Sequence, residues 1–199
     1  MNDNKKTITD SSVDAYKDLV EEMISLYKRK NADYGNSVYI SLDEDGLIAS
    51  KVRIGDKLNR FSNLIKKAKM GDNISVVDES MRDTILDLSN YANITYAWYK
   101  SMYVDVSNGS PDHSKLFIKS AISLIDIYSS NKPIIEKKRV RLLDCGLSIC
   151  SDRMNNQFER FALLVKENRI YEMPKIMDAL QQLTIEAVET VLYIDREEY

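Results

Sequence analysis

Residues 79–100 read ESMRDTILDLSNYANITYAWYK, and neither Gly nor Pro interrupts them. Met81, Ile85, Leu88, Ala92, Tyr96 and Tyr99 return at three- and four-residue spacing, the period of one helix face. Glu79, Asp83 and Asp87 recur every four residues, and Asn90 follows three later. At about 100° per residue these four fall within one sector roughly 80° wide. Leu86, Ile94 and Ala97 share that sector. The segment is therefore expected to be a helix buried on two sides, with acids on one of them, leaving Arg82, Ser89, Asn93 and Lys100 as the exposed strip. Like charges four apart destabilise an isolated helix by about 0.2–0.5 kcal/mol per pair. Water, a basic neighbour or a cation has to compensate.

Upstream, Ile54, Leu58, Phe61, Ile65 and Ala68 set out a second helix from about Ala49 to Lys69, ended by Gly71. A first helix is expected over roughly Ser12 to Lys30, capped by Ser11 or Ser12, with KNADYGNSVYISLDEDG following as a loop. Six Gly and three Pro in 199 residues are few for a chain of frequent tight turns, so the fold class is all-α. The formal charge of −3 gives no broad basic surface for duplex nucleic acid. No apolar run approaches a membrane span, and the N-terminus lacks a secretory apolar core, so a cytoplasmic protein is expected. Cys145, Cys150 and the single His113 are too few for a structural zinc site. The cysteines are expected in the core and His113 in an exposed linker.

Sliding the chain against itself by about one hundred positions pairs Gly46-Leu47 with Gly146-Leu147, Arg53 with Arg153 and Arg60-Phe61 with Arg160-Phe161. Thr84-Ile85 meets Thr184-Ile185 in the same register. The chain is thus expected to be one helical bundle built from two divergent three-helix repeats, over 1–103 and 115–199, joined by a linker at 104–114. The second repeat is expected to restart near Ser114, Cys145 and Pro174. Such a fused pair would let the chain act as a monomer, with further self-association left open. In this register Ala179, Leu183 and Ala187 stand where the first half has Glu79, Asp83 and Asp87, and Thr190 stands for Asn90. An interior face is the simpler reading: core in one half, a carboxylate site in the other. Converging carboxylates without basic partners suit a hard cation, Mg²⁺ or Mn²⁺.

The second helix carries Arg53, Asp56, Arg60, Asn63 and Lys67 away from its apolar stripe, with Lys57 beside Asp56. Asp56 and Lys57 become Asn156 and Gln157 in the second half, whereas both arginines persist. The arginines are expected to be structural or to pair with acids; Asp56 and Lys57 track the acid site. Lys30, Asp33, Tyr34 and Gly35 close the first helix, and the second half has no counterpart.

Together KNADYG, RIGDKLNRF and DESMRDTILDLSNYA resemble the phage-type nucleotide-modification-associated domains, and through them the all-α NTP pyrophosphohydrolases, the MazG-like and dimeric dUTPase superfamily. The resemblance covers about Leu19 to Lys100. It implies Mg²⁺ on helix-borne carboxylates and cleavage of a nucleotide to monophosphate and pyrophosphate. Glu79, Asp83 and Asn90 match that family's third-helix spacing; Glu79 and Asp83 would hold metal and Asn90 would contact sugar or base. The family's second helix usually carries a Glu-Glu-x-x-Glu cluster, where this chain has Asp56-Lys57-Leu58-Asn59-Arg60.

The resulting expectation is an Mg²⁺-dependent (d)NTP pyrophosphohydrolase. Glu79, Asp83, Asp56 and Asp87 would serve the metal, and Glu79, Asp83 and Lys57 the chemistry. Lys30, Asp33, Tyr34, Arg53, Arg60 and Asn90 would bind the nucleotide. The alternative is a phage-type protein that binds or sequesters a nucleotide without cleaving it.

Overall fold

The computed structural model describes residues 3–70, 80–103, 112–130 and 132–197, and side chains for 13–70, 80–103, 112–130 and 146–195. Among them are seven helices and no strand, as an all-α chain requires. They are α1 (Asp3–Tyr34), α2 (Ser37–Asp45), α3 (Leu47–Met70), α4 (Met81–Tyr103), α5 (His113–Ser130), α6 (Lys132–Lys166) and α7 (Met173–Glu197). Glu79, the start of the third expected helix near Ser75 and most of the 104–114 joint lie outside the described residues. So do the side chains of Ser11, Ser12 and Cys145. No described helix is long and apolar enough to cross a membrane.

The stretch expected as a loop after the first helix contains α2. Its sequence buries Tyr39 and Leu42 on one side, and Trp98 Nε1 of α4 donates to Asp43 Oδ1 at 2.7 Å. Gly35 and Asn36 turn the chain between α1 and α2 at φ 56° and 61°, a region open to Gly and tolerated by Asn. Gly46, at φ 61°, ends α2, with its N–H bonded to the Leu42 carbonyl at 2.9 Å. A hundred positions on, Gly146 at φ 67° breaks α6 at a kink.

Four helices form a ring in which α3 meets α4, α4 meets α7, α7 meets α6, and α6 meets α3. The core inside it includes Ile54, Leu58 and Phe61 of α3, Leu88 of α4, Phe161 of α6 and Leu183 of α7, all essentially buried. Ala68, expected on the α3 stripe, is exposed at the last turn of that helix. Gly55 lies where α3 approaches α6; a β-carbon there would stand 3.1 Å from Phe158 Cζ. The glycine of RIGDKLNRF therefore serves helix packing. α1 and α5 pair with each other through stacked Tyr16–Tyr128 and Tyr27–Phe117, then cover α4 and α7.

That cover corrects the expected exposed strip of α4. Ser89 and Asn93 are buried, because α5 lies against them. Asn93 Nδ2 donates to the Phe117 carbonyl at 3.2 Å, and its Oδ1 accepts from Ser120 Oγ at 2.8 Å. Ser89 Oγ donates to the Leu86 carbonyl. The polar side chains on this side of α4 are satisfied within the bundle, so they needed no solvent.

Arg82 ties three helices. Its Nη atoms meet both Glu22 carboxylate oxygens on α1 at 2.7 and 2.6 Å, and Nε meets Asp195 Oδ1 on α7 at 2.6 Å. The Glu22 carboxyl lies below its usual range, first through the Arg82 hydrogen bond. Both acids are about a third exposed, so solvent screening limits the gain. Arg82→Met is expected to cost about 1–2 kcal/mol in urea unfolding, the scale of a partly screened charge-assisted fork. An unchanged midpoint would mean the three-way tie is decorative.

Candidate functional site

One cavity of about 230 Å³ opens between the C-terminal end of α1, the start of α2, and the facing sides of α3 and α4. It is lined by Lys30 and Tyr34 from the end of α1, Arg53 from α3, and Asp87 and Asn90 from α4, five of the residues singled out above. Tyr27, Tyr39, Tyr91 and Ile94 complete its apolar wall. The KNADYG turn explains why these meet. The Gly35 N–H closes on the Asn31 carbonyl at 3.0 Å, and the left-handed Gly35-Asn36 pair then folds α2 back so that Tyr39 faces Tyr27.

Charge is concentrated at one end. Asp87 is 7% exposed, and each carboxylate oxygen meets an ammonium: Lys30 on Oδ1 and Lys57 Nζ on Oδ2 at 3.0 Å. The basic neighbour anticipated as one remedy for the acidic face is thus present at Asp87. Arg53 Nη2 donates to Ser41 Oγ at 3.1 Å, and its guanidinium lies 5.9 Å from the centre of the Tyr91 ring. Asn90 is buried, and neither its Oδ1 nor its Nδ2 has a hydrogen-bond partner. A buried amide without partners costs about 1–3 kcal/mol, which makes Asn90 the most informative atom group in the cavity.

The remaining candidates sit elsewhere. Arg60 Nε donates to Thr84 Oγ1 at 3.3 Å, joining α3 to α4. Asp33 and Asp56 are exposed and do not line the cavity. Asp83 is also exposed, contrary to the buried acidic face expected; it lies in the first turn of α4, where its neighbour Arg82, not Asp83, makes the contacts to α1 and α7. There it forms a capping box with Ser80: the Asp83 N–H donates to Ser80 Oγ at 3.0 Å, and Ser80 N–H and Oγ both donate to Asp83 Oδ2.

This arrangement tests the metal. Among the described residues no three His, Cys, Asp or Glu side chains converge as a metal site. Asp87 is engaged by two lysines, while Asp83 and Asp56 are solvent-exposed. The described donors alone do not fit a divalent cation. Glu79, the remaining expected ligand, lies outside the described residues.

Behind the cavity wall, Tyr27 and Tyr39 bond to each other through their hydroxyls at 3.2 Å. Tyr39 stacks on His113, with ring centres 4.2 Å apart, and its hydroxyl donates to the His113 carbonyl. His113 is therefore a half-buried residue opening α5, not the exposed linker residue expected from its Gly- and Pro-containing surroundings. Burial lowers its pKa from 6.5, opposed by the Asp43 and Asp112 carboxylates. A lowered folded value means the unfolded chain takes the proton first. The stability His113 contributes is complete above about pH 6.5 and is lost as pH falls through the folded value. His113→Phe, which keeps the stack, should flatten the decline of the urea midpoint between about pH 7.5 and 5.5. An identical decline in both proteins would contradict it.

Sequence reasoning missed a second buried polar group, on α7. Glu186 and Glu189 are buried, Arg153 Nη2 meets Glu186 Oε1 at 2.6 Å, and Glu189 Oε2 lies 3.8 Å away. The expectation that only the first half holds interior carboxylates is thereby corrected. The signal was available: two Glu three apart on an otherwise apolar face, with an arginine shared by both halves. Arg153 pairs within the second half, as does Arg160 with Asp178 at 2.8 Å. Cys150 is buried as expected, and burial pushes its thiol up to about 11.

No protein family, curated protein or solved structure matches the chain.

Proposed function

We propose that the chain binds a nucleotide in the α1–α2–α4 cavity, its nucleoside against Asn90 and the tyrosines and its phosphate towards Lys30 and Arg53. The observation that carries this reading is the Asn90 amide, buried with both donor and acceptor unpartnered at a cavity whose other charges are chiefly cationic. A nucleobase edge or sugar hydroxyl supplies the complementary donor and acceptor. Tyrosine faces add stacking worth about 1–3 kcal/mol per base. Lys30, resting on Asp87, and Arg53 bring two cations to the cavity lining.

Mg²⁺-dependent cleavage of a (d)NTP to monophosphate and pyrophosphate is the second reading. It is favoured by Asp83, which stands one helical turn before Asp87 with its carboxylate open to solvent, at the family-like spacing from Asn90. A panel of NTPs and dNTPs, incubated with Mg²⁺ or Mn²⁺ and followed by chromatography, separates the two. Monophosphate and pyrophosphate released by the parent, and not by folded Asp83→Ala, support the enzyme. A thermal shift with one nucleotide and no products supports binding alone. Neither products nor binding would reject both.

A further inference from the structure

Resting on the nucleotide reading above, we propose that the ligand this cavity is built for carries a single phosphate: a nucleoside monophosphate, not a triphosphate. Space points this way first. At about 230 Å³ the cavity lies below the roughly 300–1,000 Å³ usual for pockets that enclose a drug-sized ligand. Its inner wall is fixed, since Tyr27 and Tyr39 are hydrogen-bonded to each other and Tyr39 is stacked on His113. A nucleoside seated on Asn90 would take up most of this volume, so phosphates beyond the first would lie outside the cavity lining.

Charge points the same way. The charged groups lining the cavity are Lys30, Arg53 and Asp87, two cations and one anion. A phosphate monoester carries about 1.5–2 negative charges at neutral pH, of which the net single positive charge of this set offsets the larger part; a metal-free triphosphate carries about twice that. Arg53 presents a planar fork suited to a terminal phosphate, and Lys30, on a side chain 43% exposed, has the freedom to leave Asp87 for a ligand. A longer phosphate chain finds no further cation in the cavity lining, and the next acid along α4 towards its first turn, Asp83, is exposed.

The test is calorimetric titration of the full chain in EDTA and again in Mg²⁺. The titrants are the nucleoside monophosphates, their triphosphates, the free nucleosides and inorganic phosphate. The preferred monophosphate should bind at least about tenfold tighter than its triphosphate, and Arg53→Gln should lose about tenfold for it while leaving the nucleoside unchanged. Lys30→Gln, at an exposed position, provides a second variant should Arg53→Gln fail to fold, and the same loss is expected. A triphosphate that binds as tightly as the monophosphate, with or without Mg²⁺, overturns the single-phosphate proposal but leaves the nucleotide reading standing. Inorganic phosphate equal to the monophosphate overturns it as well, reducing the cavity to an anion site. Absence of binding by any nucleotide or nucleoside takes down both.

Discussion

Asn90→Leu is expected to melt higher than the parent protein and to have lost its nucleotide. In the ligand-free chain the Asn90 amide is buried with neither hydrogen bond made, a cost of about 1–3 kcal/mol. Leucine is near in volume, removes both orphaned atoms and sits beside Ile94 of the same cavity. Stability should rise by about 1–2 kcal/mol in urea unfolding. Nucleotide affinity should fall by about a hundredfold, since the group left unpaired is now on the ligand. The two changes in opposite directions are the signature of a residue kept for binding. A variant that is destabilised and still binds would show that Asn90 serves the fold.

Asp87→Asn should act in the reverse sense. The carboxylate holds Lys30 and Lys57 from a position only 7% exposed, so its removal should cost about 1–3 kcal/mol, the range for a buried charge-assisted hydrogen bond. The same change removes a negative charge from the cavity lining. Triphosphate affinity in EDTA should rise about tenfold, bringing it near that of the monophosphate. A pyrophosphohydrolase that needs Asp87 for a cation predicts something different: product formation lost with no gain in metal-free affinity. Chevron-free equilibrium unfolding and calorimetry on one preparation read both quantities.

Much of this molecule was legible before any coordinates. The periods of α3 and α4 come from apolar spacing, and Pro174 placed the start of α7 within a residue; Cys145, expected to open a helix, instead lies beside the Gly146 kink inside α6, which begins at Lys132. Lys30, Tyr34, Arg53, Asp87 and Asn90 were singled out by motif and face, and they line one cavity. What was not legible depends on tertiary neighbours. Ser89 and Asn93 look solvent-facing by polarity, but α5 supplies the carbonyl and hydroxyl that satisfy Asn93. Asp83 shares a face with Asp87 on a helical wheel, yet a wheel has no ends. In the first turn of α4, Arg82 takes the contacts to α1 and α7, and Ser80 claims Asp83 for a cap.

α2 was hidden for a related reason. Nine residues are too few to display a period, and its burial of Tyr39 and Leu42 depends on what α1 and α4 bring opposite. The idea of two fused repeats remains an inference from sequence register. Gly46 and Gly146 share a left-handed φ, and α3–α4 and α6–α7 close one ring. The interiors differ, however: Asp87 with two lysines in one half, Glu186 and Glu189 with Arg153 in the other.

The most direct test of the nucleotide pocket is a calorimetric titration of each common nucleotide into the parent and into Asn90→Leu. One nucleotide binding at one site per chain, with the heat abolished in a variant that melts no lower, is the predicted result. Heat from no nucleotide, or binding that survives Asn90→Leu undiminished, would contradict it.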